Sequence, residues 1–245
     1  MKYSQGSPIR EGKAKILYET APPSENVIQF FKDDATAFNA LKKGTIENKG
    51  VMNNSISSWI FEHLEKKGIR THFVEHMSER EMLVRKVRIV PVEVVVRNRA
   101  AGSICKRLGI EKGKPFETPL IEFFLKDDAL GDPLIGETHI YHFKWATPAE
   151  IEHLKKQAFK VNEELKKVFA ACALELIDFK LEFGVDLKNG DILLADEFTP
   201  DGCRLWDTKT GESMDKDRFR HDLGNVVESY QEVFKRLAGF FGRAK

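Results

Sequence analysis

The chain has 245 residues, enough for one large domain or two small, closely joined ones with a real core. Lysine plus arginine (39) nearly balances aspartate plus glutamate (38), which argues against a nucleic-acid coat protein or a membrane-surface binder. No apolar run reaches the roughly 18 residues of a membrane-spanning helix.

Residues 1–6 lack the apolar core of a signal peptide. Cys105, Cys172 and Cys203 are far apart and odd in number, so they predict ordinary packing in a reducing cytoplasm. Residues 14–19 and 27–31 are strand candidates around the turn signal Ala21-Pro22-Pro23-Ser24. Residues 53–67 predict a helix with Ile56, Trp59, Ile60, His63 and Leu64 on one face and Gly68 as its stop. Residues 82–86 and 92–96 are strand-like, interrupted by Pro91. A short helix over 100–108 ends at Gly109, and 121–125 is a further strand. Thr147-Pro148-Ala149-Glu150 reads as N-cap, proline at the first helical position and acidic first turn of a helix reaching about Leu174. Residues 215–237 predict a second long amphipathic helix striped with Phe219, Leu223, Val226, Tyr230, Val233 and Leu237. The mixed order of strands and helices favours an α+β fold. A boundary near residues 84–92 divides a sheet-rich lobe, 1–86, from a larger lobe, 87–245.

Asp178, Lys180 and Glu182 alternate with Ile177, Phe179, Leu181 and Phe183. On a strand, this period places an anion, a cation and an anion on one face at steps of about 7 Å. A second acidic run, residues 195–201, follows. Two acidic strand segments flanking a lysine suit magnesium and a phosphorylated substrate; a solvated strand face is the alternative. If Asn189-Gly190 forms a two-residue turn, Glu182 faces Glu197. If Lys188-Asn189-Gly190 forms a bulged loop, Glu182 faces Asp196, and only that register makes a cross-strand carboxylate pair that calls for a cation. The bulged register is the expectation.

Gly12-Lys13-Ala14-Lys15 opens the first strand pair, with both lysines on one face by alternation. It suits phosphates but is not a Walker A loop, and an edge strand in solvent is the alternative. Arg97-Asn98-Arg99-Ala100-Ala101-Gly102-Ser103 ends an apolar strand and starts a helix. Guanidinium forks, small residues and a helix N-terminus suit an anion. His139/His142 and His72/His76 have metal-like spacing without an obvious third ligand, so packing is expected of them. Asp207, Asp215 and Asp217 read as caps or solvated surface, and the turn Lys126-Asp127-Asp128 is placed to touch a ligand. Kinase motifs and G-x-S-x-G are lacking.

These segments in this order resemble the SAICAR synthetase (phosphoribosylaminoimidazole-succinocarboxamide synthase) family almost end to end. The carriers are GKAK at 12–15, ENKG at 47–50, PVEVVVRNRAAGS at 91–103, FFLKDDALGDP at 123–133, LIDFKLEFG at 176–184, DEFTPDGCRLWD at 196–207 and MDKDRFR at 214–220. Thr199 and Cys203 stand where serine is common in the family. The resemblance implies a two-lobed fold distantly similar to ATP-grasp and protein-kinase architectures, with ATP between the lobes. It implies an ATP-dependent ligase joining L-aspartate to the carboxylate of CAIR, through an acyl phosphate, with magnesium, in a cytoplasmic homodimer or larger homo-oligomer. Lys13, Ala14, Lys15, Lys86 and Glu182 would then serve ATP, and Glu182 and Asp196 the magnesium. Arg97 and Ser103 would hold the ribonucleotide 5′-phosphate or its neighbourhood. Asp178, Lys180 and Arg204 would orient the imidazole amine, carboxylate and ribose.

Overall fold

The computed structural model describes residues 2–37 and 41–243. The chain opens with strands β1 (Ser4–Glu11), β2 (Lys15–Ala21) and β3 (Asn26–Phe31), then a small ribbon of β4 (Asp34–Ala37) and β5 (Lys42–Thr45). Helix α1 (Lys49–Lys66) leads to β6 (Phe73–His76) and β7 (Glu81–Arg85), completing an antiparallel sheet in the order β1-β2-β3-β7-β6. Then come β8 (Val87–Ile89), β9 (Val92–Arg99), α2 (Ser103–Leu108), β10 (Pro115–Leu125), β11 (Leu134–Ile135), α3 (Glu137–His142) and α4 (Pro148–Ala171). The remainder is β12 (Leu174–Asp186), β13 (Ile192–Ala195), β14 (Cys203–Asp207), α5 (Asp217–Arg220) and α6 (Val226–Phe240). A second sheet runs β11-β10-β9-β12-β13, and β14 and β8 also pair with β12. The mixed helix and strand content is that of an α+β fold. Among the described residues no helix is long and apolar enough to cross a membrane.

The long strand β12 organises the second sheet. Its first half pairs with β9 and β14, its second half with β8 and β13. Phe179, Leu181 and Phe183 on one face join the buried stripe of α4, Ile151, Leu154, Ala158, Val161, Leu165 and Val168, in one core. That stripe has the 3–4 spacing of a helix laid on a sheet, and each leucine-sized side chain it buries contributes about 1.5–3 kcal/mol. Thr147 caps α4 as its sequence predicts: its hydroxyl accepts from Glu150 N, and Glu150 returns a bond to Thr147 N (2.7 Å).

Several boundaries differ from the sequence-based expectation. Strand β1 has no apolar alternation, because it is an exposed edge strand. GKAK is therefore a hairpin turn, closed by Gly12 N donating to Lys15 O (2.8 Å), rather than a strand start with both lysines on one face. Helix α1 begins four residues early, after Asn48 in the left-handed region (φ 56°), and it buries Lys49 completely. The helix predicted over 215–237 is divided into α5 and α6, because Asp222, Gly224 and Asn225 all take positive φ.

Gly184 lies where β8 crosses β12 (opposite Ile89), and a Cβ there would overlap the Val87 side chain. Gly184→Ala is expected to cost about 1–3 kcal/mol, read as a lower urea midpoint at unchanged m-value. Adding Val87→Ala should relieve much of that cost. Strict additivity of the two in a double-mutant cycle would assign Gly184 another role.

Candidate active site

Asp178, Lys180 and Glu182 project from one face of β12, as the alternation predicts. Strand β9 lies alongside in the register Asp178–Arg97 and Lys180–Val95, so Glu93, Val95 and Arg97 share that face. Lys180 Nζ donates to Glu93 Oε1 (2.6 Å) and Glu182 Oε1 (2.8 Å), and Lys126 Nζ also donates to Glu182 Oε1 (2.7 Å). Burial would lower the Lys180 pKa, but Glu182 and Glu93 outweigh it and hold the ammonium well above its ordinary value. Asp178 accepts from Arg97 Nη1 (2.6 Å) and Arg204 Nη1 (2.9 Å). Its burial raises the carboxyl pKa against the pull of Arg204 and Arg97.

The β12–β13 hairpin takes neither register weighed from the sequence. Glu182 lies opposite Ala195, because residues 187–190 form a four-residue loop closed by Asp186 N to Asp191 O (2.8 Å) and Gly190 N to Asp186 O (2.9 Å). Asp196 therefore falls one residue beyond the ladder, with φ 64°. The left-handed backbone breaks the strand's alternation at this residue, and the carboxylate meets Lys15 Nζ (2.5 Å). Burial would raise the Asp196 carboxyl, but Lys15, Lys180 and Lys126 hold it well below the carboxylate range. Glu182 and Asp196 are thus not a direct cross-strand pair, yet they share a set of ammonium neighbours. The hydrogen bonds to the Glu182 carboxylate fall on Oε1 and that to the Asp196 carboxylate on Oδ1; the second carboxylate oxygen of each accepts none among the described residues.

Beside this cluster is a cavity of about 370 Å³, lined by Lys13, Arg97, Ser103, Asp178, Lys180 and Arg204 of the predicted residues. Lys13 is the more exposed lysine of the turn and pairs with Asp128 (2.6 Å). Ala14 lies in that turn and accepts from Lys32 N (2.8 Å). Lys86 stands apart: its side chain is exposed on the one-residue link between β7 and β8, and its N–H donates to Glu25 O (3.1 Å). Arg97 is nearly fully buried and engages Glu122 (2.7 Å) as well as Asp178. Arg99, beyond the cavity, pairs with Glu175 (2.7 Å). The small residues after β9 clear room for a protein group: at Gly102 (φ 64°) a Cβ would overlap the Arg204 guanidinium.

Three site residues escape the sequence reasoning in an instructive way. Glu93 was visible as the lone acid in the apolar run of β9, two residues from Val95 and four from Arg97. Asp217 is buried rather than solvated, and it holds Arg204 (2.7 Å) and Arg220 (2.6 Å). Asp215, also buried, accepts from Leu205 N (2.9 Å) and Asp217 N (2.7 Å), and Asp207 accepts from Lys209 N (2.9 Å), so these two do act on main-chain turns. Asp201 lines the cavity and accepts from Lys49 (2.6 Å) and Tyr230 (2.5 Å), with Lys216 Nζ at 3.9 Å. The histidines with metal-like spacing do not meet. His139 Nδ1 accepts from Gly136 N (3.0 Å), and His72 is buried and neutral, its pKa pushed down to about 3 by burial. No three acids, histidines or cysteines among the described residues are grouped to hold a metal unaided.

Burial would raise the Asp201 carboxyl, but Lys216 and Lys49 outweigh it and hold it well below the usual range. A depressed folded pKa gives stability that is present above the unfolded value of about 3.9 and lost as pH falls through the folded value. Asp201→Asn, which leaves Lys49 buried without its counter-charge, should cost about 3–5 kcal/mol near pH 7. The deficit should shrink in urea titrations taken below about pH 4; a deficit constant with pH would exclude the ion pair as its source.

The sequence profile of SAICAR synthetase matches residues 8–237. The chain is 58% identical over 232 residues to the phosphoribosylaminoimidazole-succinocarboxamide synthase of Novosphingobium aromaticivorans, covering 94% of this chain and 88% of that one. The crystal structure of the same enzyme from Ehrlichia chaffeensis superposes with a TM-score of 0.92 at 46% identity, over 98% of this chain and 100% of the other. A SAICAR synthetase solved in complex with ADP superposes with a TM-score of 0.91 at 44% identity, over 95% of this chain and 98% of that one.

Proposed function

The chain belongs to the SAICAR synthetase family, and we propose how its charged crevice carries out the family's reaction. That reaction is ATP-dependent: L-aspartate is joined to the carboxylate of 5-amino-1-(5-phosphoribosyl)imidazole-4-carboxylate (CAIR), giving SAICAR, ADP and phosphate in purine biosynthesis. The observation that carries the residue assignment is the junction of two charged groups on one strand face. The Lys15–Asp196 and Lys180–Glu182 pairs stand at one end, and Arg97, Arg204 and Asp178 line the cavity at the other.

In this reading residues 1–86 form the nucleotide-side lobe and residues 87–245 the metal and CAIR lobe, with ATP between them. The enzyme works as a cytoplasmic homo-oligomer. Lys13 and Lys15, with the Ala14 main chain in the turn between them, hold the ATP phosphates, and the strand around Lys86 serves the adenine edge. Glu182 and Asp196 fit magnesium: each offers a carboxylate oxygen with no protein donor, and two carboxylates plus substrate phosphates are an ordinary octahedral set. When bound there, the ion offsets charge between phosphate oxygens during transfer. Arg97 and Ser103 meet the ribonucleotide phosphate, and Asp178, Lys180 and Arg204 orient the imidazole amine, carboxylate and ribose.

A CAIR carboxylate oxygen attacks the γ-phosphorus and the P–O bond to ADP breaks, leaving an acyl phosphate. The aspartate amine then attacks the acyl carbon. The resulting tetrahedral centre collapses by breaking its C–O bond to phosphate, which leaves with the electron pair, and the amine loses a proton. Lys180, kept cationic by Glu93 and Glu182, stands where the carboxylate oxygen bears negative charge. The protein's task is to align three anionic reactants and to keep water from the acyl phosphate. The turn that carries Lys13, whose tip side chain is held by the exposed pair with Asp128, is the candidate cover.

Glu182→Gln and Asp196→Asn should each lower kcat/KM about 10²–10³-fold while the circular dichroism spectrum stays native. ADP release should require both CAIR and L-aspartate. Near-normal turnover in both variants would remove these carboxylates from the mechanism, and ATP turnover into another acceptor would replace the ligase with a kinase.

A further inference from the structure

Asp196 holds a left-handed backbone (φ 64°) that a non-glycine residue adopts at a cost of about 1–2 kcal/mol unless its surroundings enforce it. A buried polar side chain of the first sheet meets its carbonyl, and a buried histidine of the segment before β6 stands close by. Gln29, in the middle of the apolar strand β3 and 2% exposed, donates from Nε2 to Asp196 O (3.2 Å). His72, 3% exposed, is fixed at both main-chain ends: its N donates to Leu194 O (2.8 Å) and its O accepts from Arg85 N (2.7 Å). Its ring packs edge-on against Phe61, and its Nε2 is buried with no hydrogen-bond partner among the described residues.

We propose that Gln29 is a positioning residue for the magnesium side of the site: by gripping the Asp196 carbonyl from the first sheet it fixes the left-handed turn that aims its carboxylate at Lys15 and the shared ammonium cluster. The proposal rests on the reading of Asp196 as a magnesium ligand. Gln29 does not line the cavity. A buried glutamine in an apolar strand is costly unless its amide is hydrogen-bonded, and Asp196 O is the oxygen acceptor that Gln29 Nε2 finds here. Partners that orient a metal ligand are worth 10–100-fold in metal affinity or activity. Without the grip, Asp196 is free to relax to an extended backbone, and strand alternation then carries its carboxylate to the opposite face.

The test is calorimetric binding of ADP to the full-length protein with excess Mg²⁺ and with EDTA, which reads the enhancement by metal without turnover. Gln29→Met, which keeps the volume and removes the donor, should reduce that enhancement about tenfold while affinity in EDTA stays at the wild-type value. Gln29→Leu, which also removes the donor, should do the same, and it decides the matter if Gln29→Met does not fold. Asp196→Asn is the control on the underlying reading. If it loses the enhancement while the Gln29 variants keep it in full, the positioning role is overturned and the ligand assignment stands. If Asp196→Asn itself keeps it, the ligand assignment fails and the positioning role with it.

Discussion

The ions on the inner face of β12 need counter-ions, because Asp178 and Glu182 are almost fully buried and Lys180 keeps only a third of its side chain exposed. Removing a carboxylate or ammonium from water costs several kcal/mol even after relaxation. The strand meets this constraint by alternation along itself and across the ladder: Lys180 between Glu93 and Glu182, Asp178 between Arg97 and Arg204, and Arg204 between Asp178 and Asp217. The partners come from β9, β14 and α5, which are distant in sequence. Apart from the Lys180–Glu182 pair within β12, these pairs form only when the second sheet and α5 have closed around the strand.

The β12 triplet was legible because its period of two survives any tertiary context, and the Thr147 cap because its chemistry is local. The hairpin register was not, since it depends on which side chains bond the turn. Asp186 Oδ1 accepts from Lys188 N (2.9 Å) and Asn189 Oδ1 from Asp191 N (3.0 Å), which favours a four-residue loop over both alternatives weighed. A shift of one residue normally sends side chains to the wrong face. The left-handed turn at Asp196 offsets that shift, so the carboxylate reaches the same ammonium groups although the predicted register is wrong. Asp217 was misread because its surroundings are hydrophilic in sequence; only the fold shows that Arg204 and Arg220 flank it.

The two sheets meet next to Asp196. Leu194 donates to Arg70 O (3.0 Å) and accepts from His72 N (2.8 Å), with Thr71 bridged parallel to it. Lys15 from β2 and Gln29 from β3 reach across the same seam. The main chain of the second sheet is therefore bonded, two residues before the proposed metal-side carboxylate, to the segment that leads into β6. A displacement of one sheet against the other cannot leave that carboxylate where it is. This gives a physical reason for a polar residue, Gln29, to be buried where an aliphatic one would pack with less desolvation.

The paired state of these charges also orders which of them a polyanion can recruit. Lys13 and Asp128 have side chains 40% and 69% exposed, and an exposed pair contributes at most about 1 kcal/mol. Exchanging Asp128 for a phosphate therefore costs little. Lys15 and Asp196 are 15% and 26% exposed, so separating them strands two poorly solvated ions. A cation bound on the Asp196 side removes that penalty by taking over the carboxylate as Lys15 turns to an anion. On the proposed assignment, the outer lysine of the turn yields to phosphate alone, whereas the inner one yields only when phosphate and metal arrive together. The same pairing thus makes the site discriminate a metal–nucleotide complex from a free anion.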